Sequence, residues 1–180
     1  MAASSSNDEV RLVLLAQTDD RDAIEALFLG VQGELLRYIS ALVGYESAKD
    51  VLQDVFVKIW RNLPWLERAE LFRPWAYRIA SRTCLQFLKR ERRSMEYLDP
   101  EPEIENLPSG TATGPSELIG GLENFVGALS PASRAVLLLH YGQDLPIEDV
   151  AAILHISLGT AKSRLAYGLA CLRKTTGKER

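Results

Sequence analysis

The sequence predicts an all-α protein: two small helical domains joined by a flexible acidic linker, the second containing a helix-turn-helix. Four observations carry this. Apolar residues recur at helical spacing in both halves, most clearly at Ala48, Val51, Leu52, Val55, Phe56, Ile59 and Trp60. No stretch of useful length alternates with the period of two that a half-buried strand needs. Residues 98–117, LDPEPEIENLPSGTATGPSE, hold four prolines and two glycines with almost no apolar periodicity, which is linker composition. Finally, PIEDVAAIL is followed by the three-residue break HIS and a longer helical run from Leu158, the layout of two helices and a tight turn. The expected boundaries are 8–95, 96–116 for the linker, and 117–176.

Each element follows from local signals. Asn7 or Ser6 is placed to cap a helix beginning DEVRLVLLAQ, whose first turn is acidic as the macrodipole prefers. A second helix is expected from about Arg21 to Val43. The third carries the stripe Ala48 to Trp60, which faces a core; Phe56 and Trp60 are read as part of it. Its other face shows Lys49, Asp50, Gln53, Asp54, Val57, Lys58 and Arg61. Residues 62–71, NLPWLERAEL, break the pattern and expose Trp65. Pro74 suits the first turn of a fourth helix, PWAYRIASRTCLQFLKRERR. In the second half a short helix is expected near 117–128. Ser130-Pro131 then supplies an N-cap with proline at the first helical position for PASRAVLLLHYG. In the helix-turn-helix, Ile147, Val150, Ala151 and Leu154 are expected to pack on Ala161, Leu165 and Leu169. Ser157 caps the last helix, and His155 lies where the turn calls for positive φ.

Charge is segregated. Residues 1–93 hold 14 Lys/Arg against 13 Asp/Glu, residues 94–127 hold no Lys/Arg against 7, and residues 128–180 hold 7 against 4. The formal net charge of −3 therefore conceals a strongly acidic middle between mildly basic ends. Cys84 and Cys171 form no CxxC pair and the only histidines are His140 and His155, so neither a disulfide framework nor a metal centre is expected. No cofactor is expected either. The start MAASSSNDEVR has no basic stretch leading into an apolar one, and the expected location is the cytoplasm. With no Gly-rich phosphate loop and no nucleophile paired with a base, an enzyme is not expected.

The runs AKDVLQDVFVKIW (48–60), FRPWAYRIA (72–80), LSPASRAVLLLHY (129–141) and IEDVAAILHISLGTAKSRL (147–165) occur in this order. Together with the opening DEVRLVLLAQTDDRDAIEALF (8–28), they resemble the extracytoplasmic-function (ECF) sigma factors of the sigma-70 superfamily. The resemblance covers nearly the whole chain outside the linker. It implies a sigma factor that binds core RNA polymerase, at its beta-prime clamp and beta flap, and directs initiation at promoters of a stress or envelope-type regulon. Residues 8–95 would then dock on polymerase and recognise and melt the −10 element, and 117–176 would read the −35 element. An anti-sigma factor is an expected partner.

The same resemblance assigns residues. Asp50, Gln53, Asp54 and Lys58 would meet polymerase, although Lys49 stands where an acidic residue is usual. Asn62, Trp65, Glu67 and Arg68 would form the pocket for a base flipped from the −10 strand, an extrusion costing a few kcal/mol. Trp75, Tyr77 and Arg78 would grip single-stranded DNA by stacking and charge, and Lys89 and Arg90, in the basic run 89–93, would contact phosphates. Thr160, Lys162, Ser163 and Arg164 lie where recognition helices meet base edges, with Tyr167 replacing a turn that usually bears arginine. Arg164 is alternatively an inward-facing residue. Two other readings are a stand-alone helix-turn-helix regulator, which leaves 1–95 unexplained, and a sigma mimic that binds an anti-sigma protein.

Overall fold

The computed structural model describes residues 2–98 and 129–176. These form seven helices: α1 (Ala2–Ala16), α2 (Arg21–Val43), α3 (Tyr45–Asn62), α4 (Phe72–Leu98), α5 (Pro131–Gly142), α6 (Ile147–Leu154) and α7 (Leu158–Thr176). Short 3-10 turns at Leu63–Trp65 and Ala69–Leu71 join α3 to α4. The described residues contain no strand, as the absence of alternation predicts. Most of the expected linker, residues 99–116, and the helix expected near 117–128 lie outside the described residues.

In the first module, α1, α3 and α4 pack against α2. α2 starts because the Asp20 side chain accepts a hydrogen bond from the Ala23 backbone N–H, satisfying a donor that the first turn leaves open. Its buried residues Ala23, Leu27, Val31, Leu35, Tyr38, Ile39 and Leu42 keep to one stripe by stepping three or four residues at a time. α2 is long and apolar enough by length and composition to cross a membrane; in this fold its stripe is the centre of the first core. Gly44, at φ 89°, turns the chain from α2 into α3 through a backbone conformation that side chains resist.

Three expectations are corrected here. α1 does not begin at Ser6 or Asn7 but runs through them from Ala2; the alanines ahead of them are strong helix formers. α4 continues beyond residue 93 to Leu98, so the run 89–93 is helix interior. Its cations therefore do not sit at a helix C-terminus. Trp60 is 51% exposed and is not part of the core. Within the last turns of α3 the core position falls to the fully buried Ile59, and Trp60 lies one heptad beyond Gln53, only about 20° from it around the helix. Phe56 does turn inward, stacking on Phe28 of α2 with ring centroids 4.5 Å apart.

The second module forms as the local signals predict. Ser130 caps α5 by accepting from the Ser133 N–H, with Pro131 at the first helical position. Ser157 Oγ accepts from the Thr160 N–H at 3.1 Å, opening α7. Between α6 and α7, His155 adopts φ 52°, ψ 46°. The His155 and Ile156 N–H groups turn back to the carbonyls of Ala152 and Ala151, so α6 ends in a Schellman motif with His155 at the left-handed position. Glycine takes this conformation without the Cβ penalty. Replacing His155 by Gly is therefore expected to stabilise the protein by about 0.5–1 kcal/mol, read as a rise in melting temperature. A fall would contradict it.

Val150, Ala151 and Ala161 are buried, and Leu154 and Leu165 pack at the margin of the core that holds Val150. Gly168 explains itself in three dimensions: a Cβ built on it would lie 2.6 Å from Leu137 Cδ1 and 3.2 Å from Leu137 Cγ. The missing side chain lets α7 approach α5, where Leu129 and Leu137 meet Leu165, Leu169 and Cys171.

Candidate nucleic-acid and protein interfaces

Four surfaces carry the residues that the sequence singles out. The first is the outer face of α3, where Asp50, Gln53 and Asp54 are exposed and are joined by Val57 and Trp60. Sequence reading placed Trp60 in the core, and its heptad relation to Gln53 was the signal that could have moved it outward. An apolar pair inside an acidic and amide-bearing face is the composition of a protein-docking patch. Lys58, by contrast, leans towards α4: its Nζ donates to Thr83 Oγ1 at 3.0 Å. It ties α3 to α4 and stands partly apart from the other three.

The second surface is the α3–α4 connection. Buried Leu63 and Ala69 pin it from below, and Gln17 at the end of α1 clamps it from the side. Gln17 Nε2 donates to the Leu63 and Leu66 carbonyls, at 3.0 and 2.7 Å. The sequence held no sign of this clamp, because Gln17 lies more than 40 residues from its partners. On this fixed base Trp65 is 79% exposed, and Glu67 and Arg68 are exposed beside it. Among the described residues Arg68 forms only a long, solvent-washed pair with Glu70, at 3.9 Å, which leaves its guanidinium available to another partner. Asn62 is used locally, its amide donating to the Lys58 carbonyl at 2.7 Å.

The third surface is α4. Arg73 anchors its first turn, bridging Glu9 of α1 and Glu34 of α2. Phe72 is fully buried and Trp75 is half-buried. Tyr77 is only 5% exposed. Its ring packs edge-on against Tyr38, centroids 5.4 Å apart, and its hydroxyl donates to Gln143 Oε1 of the second module. Burial, and then the charge of Glu34, push the Tyr77 phenol well above its ordinary pKa, so it is a neutral donor. In this arrangement it cannot stack on a base. Arg78 Nη2 donates to the Ala152 carbonyl at 3.3 Å. Lys89 and Arg90 are exposed farther along. Cys84 is fully buried, and burial pushes its thiol up to about 12, which leaves no reactive thiolate at neutral pH.

The fourth surface is α7. Gly159, Lys162, Ser163, Ala166, Tyr167 and Ala170 are all exposed; their spacing of three and four residues makes them one face. Tyr167 is 60% exposed, and its hydroxyl is hydrogen-bonded to Cys171 one turn on, which raises its pKa. Thr160 and Arg164 are half-buried flanks, and the Thr160 hydroxyl pairs with Ser157 in the cap. His155 lies at the edge of this module. Arg78 first, then slight burial and Arg82, hold its imidazole below the usual pKa. Among the described residues no group of His, Cys, Asp and Glu is placed to hold a metal ion.

These features define a class: a two-module helical protein with an exposed polar face on the last helix of one module and an aromatic, cation-bearing helix in the other. Comparisons with known proteins narrow it. Residues 27–94 match sigma-70 region 2, and residues 126–174 match sigma-70, region 4. The RNA polymerase sigma factor YlaC of Bacillus subtilis (strain 168) is 30% identical over 168 residues, covering 89% of this chain and 95% of that protein. The ECF RNA polymerase sigma-E factor of Escherichia coli (strain K12) is 28% identical over 165 residues, covering 86% of each. Two solved structures share the fold. CnrH in complex with the cytosolic domain of CnrY has a TM-score of 0.69 at 19% identity, covering 96% of this chain and 99% of that one. The sigma factor RpoE in complex with the anti-sigma factor NepR from Bartonella quintana has a TM-score of 0.67 at 23% identity, covering 87% and 98%. The chain belongs to the ECF branch of the sigma-70 family and is a promoter-directing sigma factor, a family that is not one of enzymes.

Proposed function

We propose that the chain works in the cytoplasm by docking on core RNA polymerase through α3 and reading the two promoter elements with separate modules. Asp50, Gln53 and Asp54 supply the polar contacts to polymerase, with Val57 and Trp60 as the apolar centre and Lys58 at the margin. The −10 non-template strand meets the α3–α4 connection: Trp65 offers a stacking face, Glu67 and Arg68 supply an acceptor and donors, and Asn62 borders the pocket. Trp75, Tyr77 and Arg78 continue the grip along α4, and Lys89 and Arg90 hold phosphates. In the −35 element Lys162 donates to a guanine edge, Thr160 and Ser163 bond phosphate or base edges, Arg164 flanks them, and Tyr167 takes the turn that usually bears arginine.

The observation that carries this reading is Trp65, held out at 79% exposure on a connection anchored by Leu63, Ala69 and Gln17. A large apolar ring on a rigid base has no packing role there and fits a stacked base. The regulated genes are of stress or envelope type, in keeping with the similarity to sigma-E. An anti-sigma factor holds the protein inactive; one of the solved neighbours is a sigma factor bound to an anti-sigma factor. The test is run-off transcription with core polymerase on a promoter library. Initiation should occur at a restricted promoter set and fall at least tenfold for Trp65→Ala. Failure to initiate on any promoter, together with tight duplex binding by the chain alone, would favour the stand-alone regulator.

A further inference from the structure

Gln17 follows the last residue of α1, where the chain reverses into α2. Two local devices fix that reversal. Asp19 takes φ 67°, and the Asp19 and Asp20 N–H groups turn back to the carbonyls of Ala16 and Leu15, at 3.2 and 3.4 Å. This is a Schellman closure of α1, with an aspartate at the left-handed position. Asp20 then caps α2, while buried Val13 and Ala16 seat the end of α1 in the first core. The backbone at Gln17 is thus held from both sides.

Its side chain reaches the 3-10 turn Leu63–Trp65. The Leu66 N–H closes that turn by donating to the Leu63 carbonyl at 3.0 Å. The Gln17 amide donates to the carbonyls of both Leu63 and Leu66, at 3.0 and 2.7 Å. An amide nitrogen carries two hydrogens, so one group holds both ends of the turn, and exposed Trp65 lies between the two held carbonyls. α1 packs on both 3-10 turns of the α3–α4 connection. The buried anchors Leu63 and Ala69 fix its depth, but apolar burial is non-directional. Hydrogen bonds to carbonyls are directional; they orient the peptide planes on either side of Trp65, and with them the ring.

We infer that Gln17 is a positioning residue for base selection: by holding the Leu63 and Leu66 carbonyls it sets the direction in which Trp65 presents its ring to the −10 strand. The inference rests on the assignment of Trp65 to that strand. Gln17 itself touches no nucleotide. Its contribution is preorganisation, since a turn already held in the stacking geometry loses little freedom when the base arrives. Gln17 precedes residues 27–94, which match sigma-70 region 2, so the −10 reader extends back into the turn between α1 and α2.

The test uses the full chain bound to core polymerase, on an active promoter from the run-off library, with each −10 non-template base replaced in turn by an abasic site. For wild type, one replacement should lower initiation about tenfold, the loss of one stacked base. Trp65→Ala should flatten the response at that position. Gln17→Met keeps the length of the side chain and removes both donated bonds. It should shrink the abasic penalty to about threefold or less, with initiation on the abasic template and affinity for polymerase unchanged. Gln17→Glu should act in the same direction and serves if the methionine variant does not fold. In the Trp65→Ala background Gln17→Met should have no further effect. A purely structural role would instead lower initiation on every template and in both backgrounds alike. That result, or an unchanged penalty, overturns the role of Gln17 and leaves Trp65 in place. If no replacement affects wild type, or Trp65→Ala leaves the pattern intact, the assignment of Trp65 falls and the inference with it.

Discussion

Replacing Gln53 by Ala together with Asp54 by Arg is expected to weaken binding to core polymerase by about a hundredfold, with far-UV circular dichroism unchanged. Both side chains are exposed on α3, and neither is bonded within the protein in any described hydrogen bond or ion pair, so the helix loses little. The effect falls on the interface. Reversing a charge that meets a complementary one and deleting a neighbouring amide together cost about 3 kcal/mol, and each 1.4 kcal/mol is tenfold in affinity. Titration of labelled polymerase with the two proteins reads the difference directly. Equal affinities would remove α3 as the docking face and leave Trp60 exposed without a purpose.

The second large effect concerns Gly168. Helix propensity alone says that Gly168→Ala should stabilise α7 by about 1 kcal/mol. The structure predicts the opposite sign, because the new Cβ would lie 2.6 Å from Leu137 Cδ1 and Leu137 is fully buried. Overpacking of this kind costs about 1–3 kcal/mol. Gly168→Ala should therefore destabilise by about 1 kcal/mol net, and Gly168→Val by about 3 kcal/mol, as read from chemical denaturation. Gly159→Ala is the control: its Cβ would meet only Ser157 Oγ, at 3.8 Å, and it should be neutral or stabilising. An alanine at 168 that raises stability would show that α7 does not approach α5 this closely.

The contrast between these glycines shows what was legible in the sequence. Caps and turns were, because their causes are local: Ser130 and Ser157 act on residues three positions away, and His155 is fixed by the turn it occupies. The end of α4 was legible in principle. Pro100 restricts the residue before it and so favours a stop near 98, yet the basic run ending at 93 drew the boundary too early. Trp60 was misread because periodicity gives a direction around a helix but not the width of what covers it. The reason for Gly168 lies in Leu137, and the fate of Tyr77 lies in Gln143; both are long-range contacts that no single-chain pattern encodes. Of the candidate site, the exposed faces of α3 and α7 could be anticipated from spacing, whereas the burial of Tyr77 depends on where the second module comes to rest.

α4 also has a consequence for spacing along the promoter. It is one unbroken helix of 27 residues, so the interval between Tyr77 and Arg90 is a fixed length of about 20 Å at 1.5 Å per residue. Measured along duplex DNA at 3.4 Å per step, that is about six base pairs. Under the assignments proposed above the helix would act as a measuring rod, with one end where a strand is parted and the basic run set back along the intact double helix. Inserting or deleting a turn between them would leave each group of contacts chemically whole and change only the distance at which they can be made together.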